Sequence, residues 1–292
     1  MRLGFWGVRG SVPVPTPDVA RYGGNTSCVE VIGDDPTHVV ILDAGTGIVP
    51  LGHSLAEGVR RVDVLLTHLH MDHILGLGFF APLFRPGLDV HLWGPSSTMQ
   101  DLRTRLSRYL SPPLFPVRLR DLPSRLTLHD TPLGRFELPG IEVRAELVCH
   151  PGPTVGYRLD DGGGTVAYLP DHEPALGVRR FPDAPEWTSG FALAEGVDVL
   201  VHDAQYDDDT YPAHVGWGHS ALSHALELAS LAGVGHLVAF HHDPGAADYV
   251  LDARFADPAL QRWSFAVTAA AEGSIVDTVS AWPSSRSATR SS

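Results

Sequence analysis

Cysteine, basic charge and long apolar runs are all scarce in this sequence, and each shortage excludes a class of protein. Two cysteines, Cys28 and Cys149, are too few for a disulfide framework and read as buried small hydrophobes. No stretch approaches the roughly 18 apolar residues that mark a membrane-spanning helix. The start, MRLGFWGVRGSVPVP, has no apolar segment of signal-peptide length and carries Arg9 where one would run. The expectation is a cytoplasmic protein without a membrane partner. Lysine and arginine total 21 against 34 acidic residues, a net charge of −13. Such a protein repels a phosphate backbone at long range, which predicts no large nucleic acid among its partners. A small anion held through metal ions stays compatible, because a bound cation dominates its local field.

Linkers, short repeats and low-complexity tracts are also missing up to residue 280. The chain therefore reads as one domain over 1–282, followed by a disordered Ser/Arg-rich tail over 283–292. At 43% hydrophobic and 19% charged residues it has ordinary globular composition. Short β-rich apolar runs alternate with turns and a few helices, which predicts an α/β fold. Ser96 or Ser97 is placed to cap a helix running to about Leu110, before Ser111-Pro112-Pro113. A second helix is expected from about Ser220 to Ala232. Its Leu222, Ala225, Leu226 and Ala229 share one face, and Gly233 stops it.

Histidine is what the chain has in quantity, with 16 residues. Five apolar runs deliver a His or Asp at their carboxyl ends: 62–67 into His68, 143–149 into His150, 165–170 into Asp171, 197–201 into His202, and 237–240 into His241 and His242. Loops leaving the carboxyl ends of a rigid sheet converge, so sites in α/β proteins gather there. His38, His53, His91, His129 and His236 carry no such pattern and read as surface or packing residues.

The densest motif is Thr67-His68-Leu69-His70-Met71-Asp72-His73. In an extended chain His68 and His70 project together. A helix beginning near Asp72 brings Asp72 and His73 alongside them. Three imidazoles and a carboxylate in so short a span can chelate two divalent ions.

This segment resembles the HxHxDH signature of the metallo-β-lactamase superfamily, and the resemblance extends over nearly the whole chain. It implies a four-layer αββα sandwich of α/β class with the metals at one edge. It implies a first metal site of His68, His70, His150 and Asp171, and a second of Asp72, His73, Asp171 and His241. His242 remains an alternative to His241, since neighbours at a strand end point in opposite directions. Asp43, in LDAGTG, would orient the metal loop without binding metal. Two divalent ions are implied, zinc first of all, with manganese as the alternative in the second site. A hydroxide shared between them would be the nucleophile.

Aspartate at 171, where lactamases carry cysteine, matches the phosphodiesterase, lactonase and glyoxalase branches. GFWGVRGSVPVP, RYGGNTSCVEV, VHDAQY at 201–206 and GWGHS at 216–220 resemble the branch of cyclic-nucleotide phosphodiesterases and tRNA 3′-processing nucleases. The nucleases of that branch carry a long RNA-gripping arm between the third metal histidine and the bridging Asp. The short span from His150 to Asp171 leaves no room for it. The resemblance thus implies a metal-dependent phosphodiesterase that hydrolyses 3′,5′-cyclic nucleotides to 5′-monophosphates. A lactonase or thioesterase-type hydrolase, a tRNA 3′-processing-like nuclease and a non-catalytic metal-bound nucleotide sensor stay open as alternatives.

His219, in GWGHS, is placed as general acid for the leaving oxygen, oriented by Asp203; the plain alternative is a histidine bonded near a helix start. Asp72 is counted in the catalytic set as well as in the second metal site. His202 reads evenly as a supporting or a structural residue. Arg9, Asn25 and Thr26 are weaker candidates for contacts to phosphate or base, against glycine-flanked turns that need no ligand. Residues 207–209, all Asp, read as a solvated loop. Tyr211 and Trp217 fit either a homodimer contact or a base pocket.

Overall fold

The computed structural model describes residues 1–174, 176, 181, 182 and 184–278. The tail expected at 283–292 lies outside the described residues.

Alternation along the strands assigns the layers. In the segment RVDVL, Val62 and Val64 face one side and pack with helices, while Leu65 faces the other side and packs between sheets. In chain order the strands are β1 (Arg2–Gly7), β2 (Cys28–Ile32), β3 (His38–Leu42), β4 (Arg61–Leu65), β5 (Asp89–Pro95), β6 (Arg125–Thr131), β7 (Gly134–Leu138), β8 (Ile141–Leu147), β9 (Val155–Asp160), β10 (Thr165–Leu169), β11 (Val199–Asp203), β12 (His236–Phe240), β13 (Ala266–Ala269) and β14 (Ile275–Asp277). The helices are α1 (Ile48–Ser54), α2 (Met71–Ile74), α3 (Leu102–Ser107), α4 (Phe191–Ala194), α5 (Leu222–Ala232) and α6 (Asp248–Phe255).

One sheet has the order β14-β1-β2-β3-β4-β5-β6 and the other β13-β12-β11-β10-β9-β8-β7. Both are mixed: β1 to β3 and β7 to β10 pair antiparallel, while β3 to β6 and β10 to β13 pair parallel. Leu3, Phe5, Leu42 and Leu65 of the first sheet meet Tyr157, Val166, Tyr168, Val201 and Phe240 of the second. Each such fully buried aliphatic or Phe side chain contributes roughly 1.5–3 kcal/mol relative to exposure. Helices close the outer faces: Ile48, Leu51 and Leu106 over the first sheet, and Ala225, Leu226 and Ala229 over the second. The result is a four-layer αββα sandwich, and it brings the carboxyl ends of β3, β4, β8, β10, β11 and β12 to one edge.

The helix at 222–232 forms as expected and ends on Gly233 at φ +63°. The helix expected from Ser96 or Ser97 is shorter, because β5 holds the chain extended through Pro95. Its cap is Asp101, whose carboxylate accepts the Thr104 N–H at 2.7 Å.

Candidate metal centre

Beyond β4, His68 and His70 sit in extended chain, and His70 is the residue before the short helix α2, whose first turn carries Asp72 and His73. His150 follows β8, Asp171 follows β10, and His241 follows β12. The two oxygens of Asp171 face two groups. Oδ2 lies 3.6 Å from His68 Nε2 and 3.7 Å from His150 Nε2, and His150 Nε2 is 3.2 Å from His70 Nδ1. Oδ1 lies 2.9 Å from His73 Nε2 and 3.2 Å from His241 Nε2, which is also 3.2 Å from Asp72 Oδ2. His68, His70, His150 and Asp171 thus form one cluster of donor atoms, Asp72, His73, Asp171 and His241 a second, and Asp203, His219 and His241 a smaller group that shares His241 with the second.

Four imidazoles are tethered through Nδ1, which leaves Nε2 turned inward. His73 Nδ1 donates to Asp43 at 2.8 Å, His150 Nδ1 to the Gly218 carbonyl at 2.8 Å, His241 Nδ1 to Gln205 Oε1 at 3.1 Å, and His68 Nδ1 to Thr67 Oγ1 at 3.1 Å. Thr67 Oγ1 in turn donates to Asp43, whose carboxylate also accepts the Thr67 N–H and the Tyr168 hydroxyl. Asp43 therefore orients one imidazole of each cluster and stands outside both, as expected. Such outer hydrogen bonds select the tautomer and ring angle of a metal-binding histidine.

Backbone conformation separates His241 from His242. Asp43, His241 and Ser11 are the non-glycine residues with positive φ among those described, at +60°, +58° and +63°. This left-handed turn aims the His241 ring into the cluster, while His242 turns away and donates Nε2–H to the Ala270 carbonyl at 2.9 Å. Ser11 gives its N–H to Asp72 Oδ2 at 2.8 Å. Two glycines leave room for the rings: a Cβ on Gly10 would lie 2.4 Å from His241, and one on Gly218 2.4 Å from His150.

The donor set fits divalent metal. Burial holds His68 well below its usual pKa and lowers His150, so both keep a neutral imidazole with a free lone pair. Burial would also discharge His73, yet Asp171, Asp72 and Asp43 around it raise its pKa well above the ordinary value. The second cluster thus demands positive charge. Nε2 of His68 and of His73 and Oδ1 of Asp171 are buried without a well-formed hydrogen bond, as atoms reserved for a cation are.

Beside the clusters, His219 Nδ1 donates to Asp203 Oδ2 at 2.7 Å and lies 4.0 Å from Asp171 Oδ2. Burial works against the charge of His219, but Asp203, with lesser help from Asp171 and Asp72, pushes its pKa up to about 9. His202 is buried, with Nε2 2.8 Å from His172 Nδ1 and Nδ1 donating to the Asp203 carbonyl at 2.7 Å.

Several weaker expectations resolve against a ligand role. Arg9 is fully buried and donates to the carbonyls of Gly23, Asp243 and Ala246, so it ties loops together. Asn25 is held by Glu272, and Thr26 is buried. Residues 207–209 are exposed, and Asp207 caps a turn through Thr210. The Tyr211 hydroxyl is bonded to Glu173, while Trp217 stays 61% exposed. Gln205 and Glu173 were not foreseen. Gln205 lies inside the VHDAQY run, and its place there was the one available signal for it. A buried Glu in a loop leaves no periodic trace.

A family model described as the beta-lactamase superfamily domain matches residues 38–242, a span that runs from β3 past His241. The chain belongs to the beta-lactamase superfamily. It is a hydrolase of the metallo-β-lactamase type. Ribonuclease Z of Mycobacterium sp. strain KMS is 28% identical over 253 residues, covering 80% of this chain and 82% of that protein. Zinc-bound PqqB from Methylobacterium extorquens superposes with a TM-score of 0.69 at 20% identity, over 95% of this chain and 100% of that one. The short form of human tRNase Z gives 0.63 at 20% identity, over 95% and 99%.

These relatives correct one expectation. The argument from net charge against a large nucleic-acid partner fails, because a superfamily member this similar is a ribonuclease. Net charge sums the whole surface, whereas a scissile phosphate is engaged locally, where cations outweigh the distant acidic residues. No helix among the described residues is long and apolar enough to cross a membrane.

Proposed function

We propose that this superfamily hydrolase is a metal-dependent phosphodiesterase that opens 3′,5′-cyclic nucleotides to 5′-monophosphates. The observation that carries the reading is His219, held on Asp203 and facing the carboxylate shared by both clusters. Breaking the P–O3′ bond expels a strongly basic ribose alkoxide, which needs a proton in the transition state. With Nδ1 occupied by Asp203, His219 Nε2–H is the proton donor to O3′. Divalent ions, zinc or manganese, held by the two clusters would supply a water of lowered pKa and screen the phosphate charge. Asp171, common to both clusters, sets their spacing, and Asp72 of the second is held by the Ser11 N–H. A compact substrate is supported by the chain between His150 and Asp171, most of which is spent on β9 and β10.

Hydrolysis of an RNA phosphodiester is the second reading, favoured by the identity to ribonuclease Z. One screen decides between them. Purified protein is offered a panel of 3′,5′-cyclic nucleotides, a tRNA precursor with a 3′ trailer, bis-p-nitrophenyl phosphate, a lactone and a β-lactam. Release of nucleoside 5′-monophosphate is expected. Trailer cleavage without cyclic-nucleotide turnover would replace the first reading with the second, and lactone opening alone would sink both.

A further inference from the structure

We infer that Glu173 is a positioning residue that sets His219 and His150 against the metal centre through the glycine loop at 216–218, a role that rests on His219 being the leaving-group acid. Glu173 stands two residues after Asp171 and is fully buried. Its carboxylate accepts the Gly216 N–H at 2.9 Å, the Gly218 N–H at 2.8 Å and the Tyr211 hydroxyl at 2.8 Å. Its own N–H donates to the Cys149 carbonyl at 2.9 Å. One residue on the Asp171 loop therefore grips both the loop that carries His150 and the loop that carries His219.

The loop needs such a grip. Gly216 and Gly218 adopt φ of +86° and +88°, and glycine in this region has wide conformational freedom in the absence of restraint. Gly218 joins the two functions: its carbonyl takes the Nδ1–H of His150, and the next residue is His219. A shift of Gly218 would turn the His150 ring and withdraw His219 together. The carboxylate is suited to the task because each oxygen takes a backbone N–H. A glutamine at 173 offers one acceptor oxygen and presents an NH₂ group to the remaining N–H, which cannot accept.

The test compares Glu173→Gln with wild type, metal-loaded and full length, on a 3′,5′-cyclic nucleotide and on bis-p-nitrophenyl phosphate. Each is also measured in a His219→Ala background, and the imidazole N–H signals of His150 and His219 are followed by ¹⁵N–¹H NMR. The expected result is a loss of about 10- to 100-fold in kcat on the cyclic nucleotide with KM retained. The activated ester should lose much less, the His150 Nδ1–H signal should shift, and the loss should nearly vanish on top of His219→Ala. Equal losses on both substrates, or losses that multiply in full with His219→Ala, would reject the link to His219, and unmoved imidazole signals would overturn the role. A silent His219→Ala together with shifted signals in Glu173→Gln would instead reject the acid reading while leaving the grip on the loop established. Tyr211→Phe, which deletes one donor and keeps the carboxylate, serves if Glu173→Gln does not fold. The same pattern is expected there at about fivefold, and no change in rate or signal would count against the proposal.

Discussion

Asp203 holds His219 with one carboxylate oxygen, Oδ2, at 2.7 Å, and takes the N–H groups of Gln205 and Ser220 on the other at 3.0 and 3.3 Å. Two backbone N–H groups thereby fix the carboxylate through Oδ1, leaving Oδ2 to hold the imidazole. A ring held this way keeps one orientation and favours its charged form, which suits an acid that must deliver a proton to one atom.

The leaving group is the natural probe of that arrangement. His219→Ala should cut cyclic-nucleotide turnover by about two orders of magnitude, yet spare much of the activity on bis-p-nitrophenyl phosphate, whose phenolate departs without a proton. Bound metal should be unchanged. Steady-state kinetics on the two substrates with elemental analysis checks this, and equal losses would move His219 to charge stabilisation.

The pH profile has a definite sign. A pKa raised to about 9 means that His219 is protonated below that pH and loses its proton above it. Cations bound beside Asp171 and Asp72 offset part of that rise, so the alkaline limb for the cyclic nucleotide should fall at or below pH 9. Asp203→Asn removes the main support and should move the limb down by on the order of one pH unit. A limb that stays in place in Asp203→Asn would dissociate it from His219.

Protein purified without chelator should carry close to two divalent ions, in line with the two clusters. Asp171→Ala should lose both, because its oxygens serve each cluster and offset repulsion between the cations. His241→Ala should lose the second alone, and His242→Ala neither. Elemental analysis of the three variants reads this directly; full occupancy in Asp171→Ala would remove the shared carboxylate from the account.

Stability should fall in acid for a reason remote from the metals. Asp63 is buried on β4; burial by itself would raise its pKa, but hydrogen bonds from His38, Arg61 and Trp93 hold it far below the carboxylate range. A depressed folded-state pKa contributes stability above the unfolded value of about 4, and that contribution is lost as pH falls beneath it. Asp63→Asn should cost about 2 kcal/mol near neutrality and flatten the acid limb. Thermal melts from pH 7 to 3 test both, and parallel curves for the two proteins would contradict the assignment.

Much of this was legible in the chain itself. The HxHxDH segment puts its donors within one extended stretch and one helical turn, so local covalent geometry alone brings His68, His70, Asp72 and His73 together. Apolar runs ending on His or Asp marked the right sheet edge, since strand direction and side-chain alternation are local properties too. The helix at 222–232 was readable for the same reason, through its apolar spacing and terminal glycine. The cap of α3 was not, because the length of β5 depends on its neighbours in the sheet.

What sequence alone determined is therefore the donor inventory, the strand ends that carry it and the superfamily to which they point. Tertiary structure decided the rest: that Arg9 is spent on carbonyls, that Glu173 grips the loop before His219, that Gln205 sets the tautomer of His241, and that a left-handed turn sends His241 inward and His242 away. Each depends on partners tens to hundreds of residues distant in the chain. A sequence pattern reports spacing along one backbone, whereas these contacts exist only once two sheets have packed and their loops share the same edge.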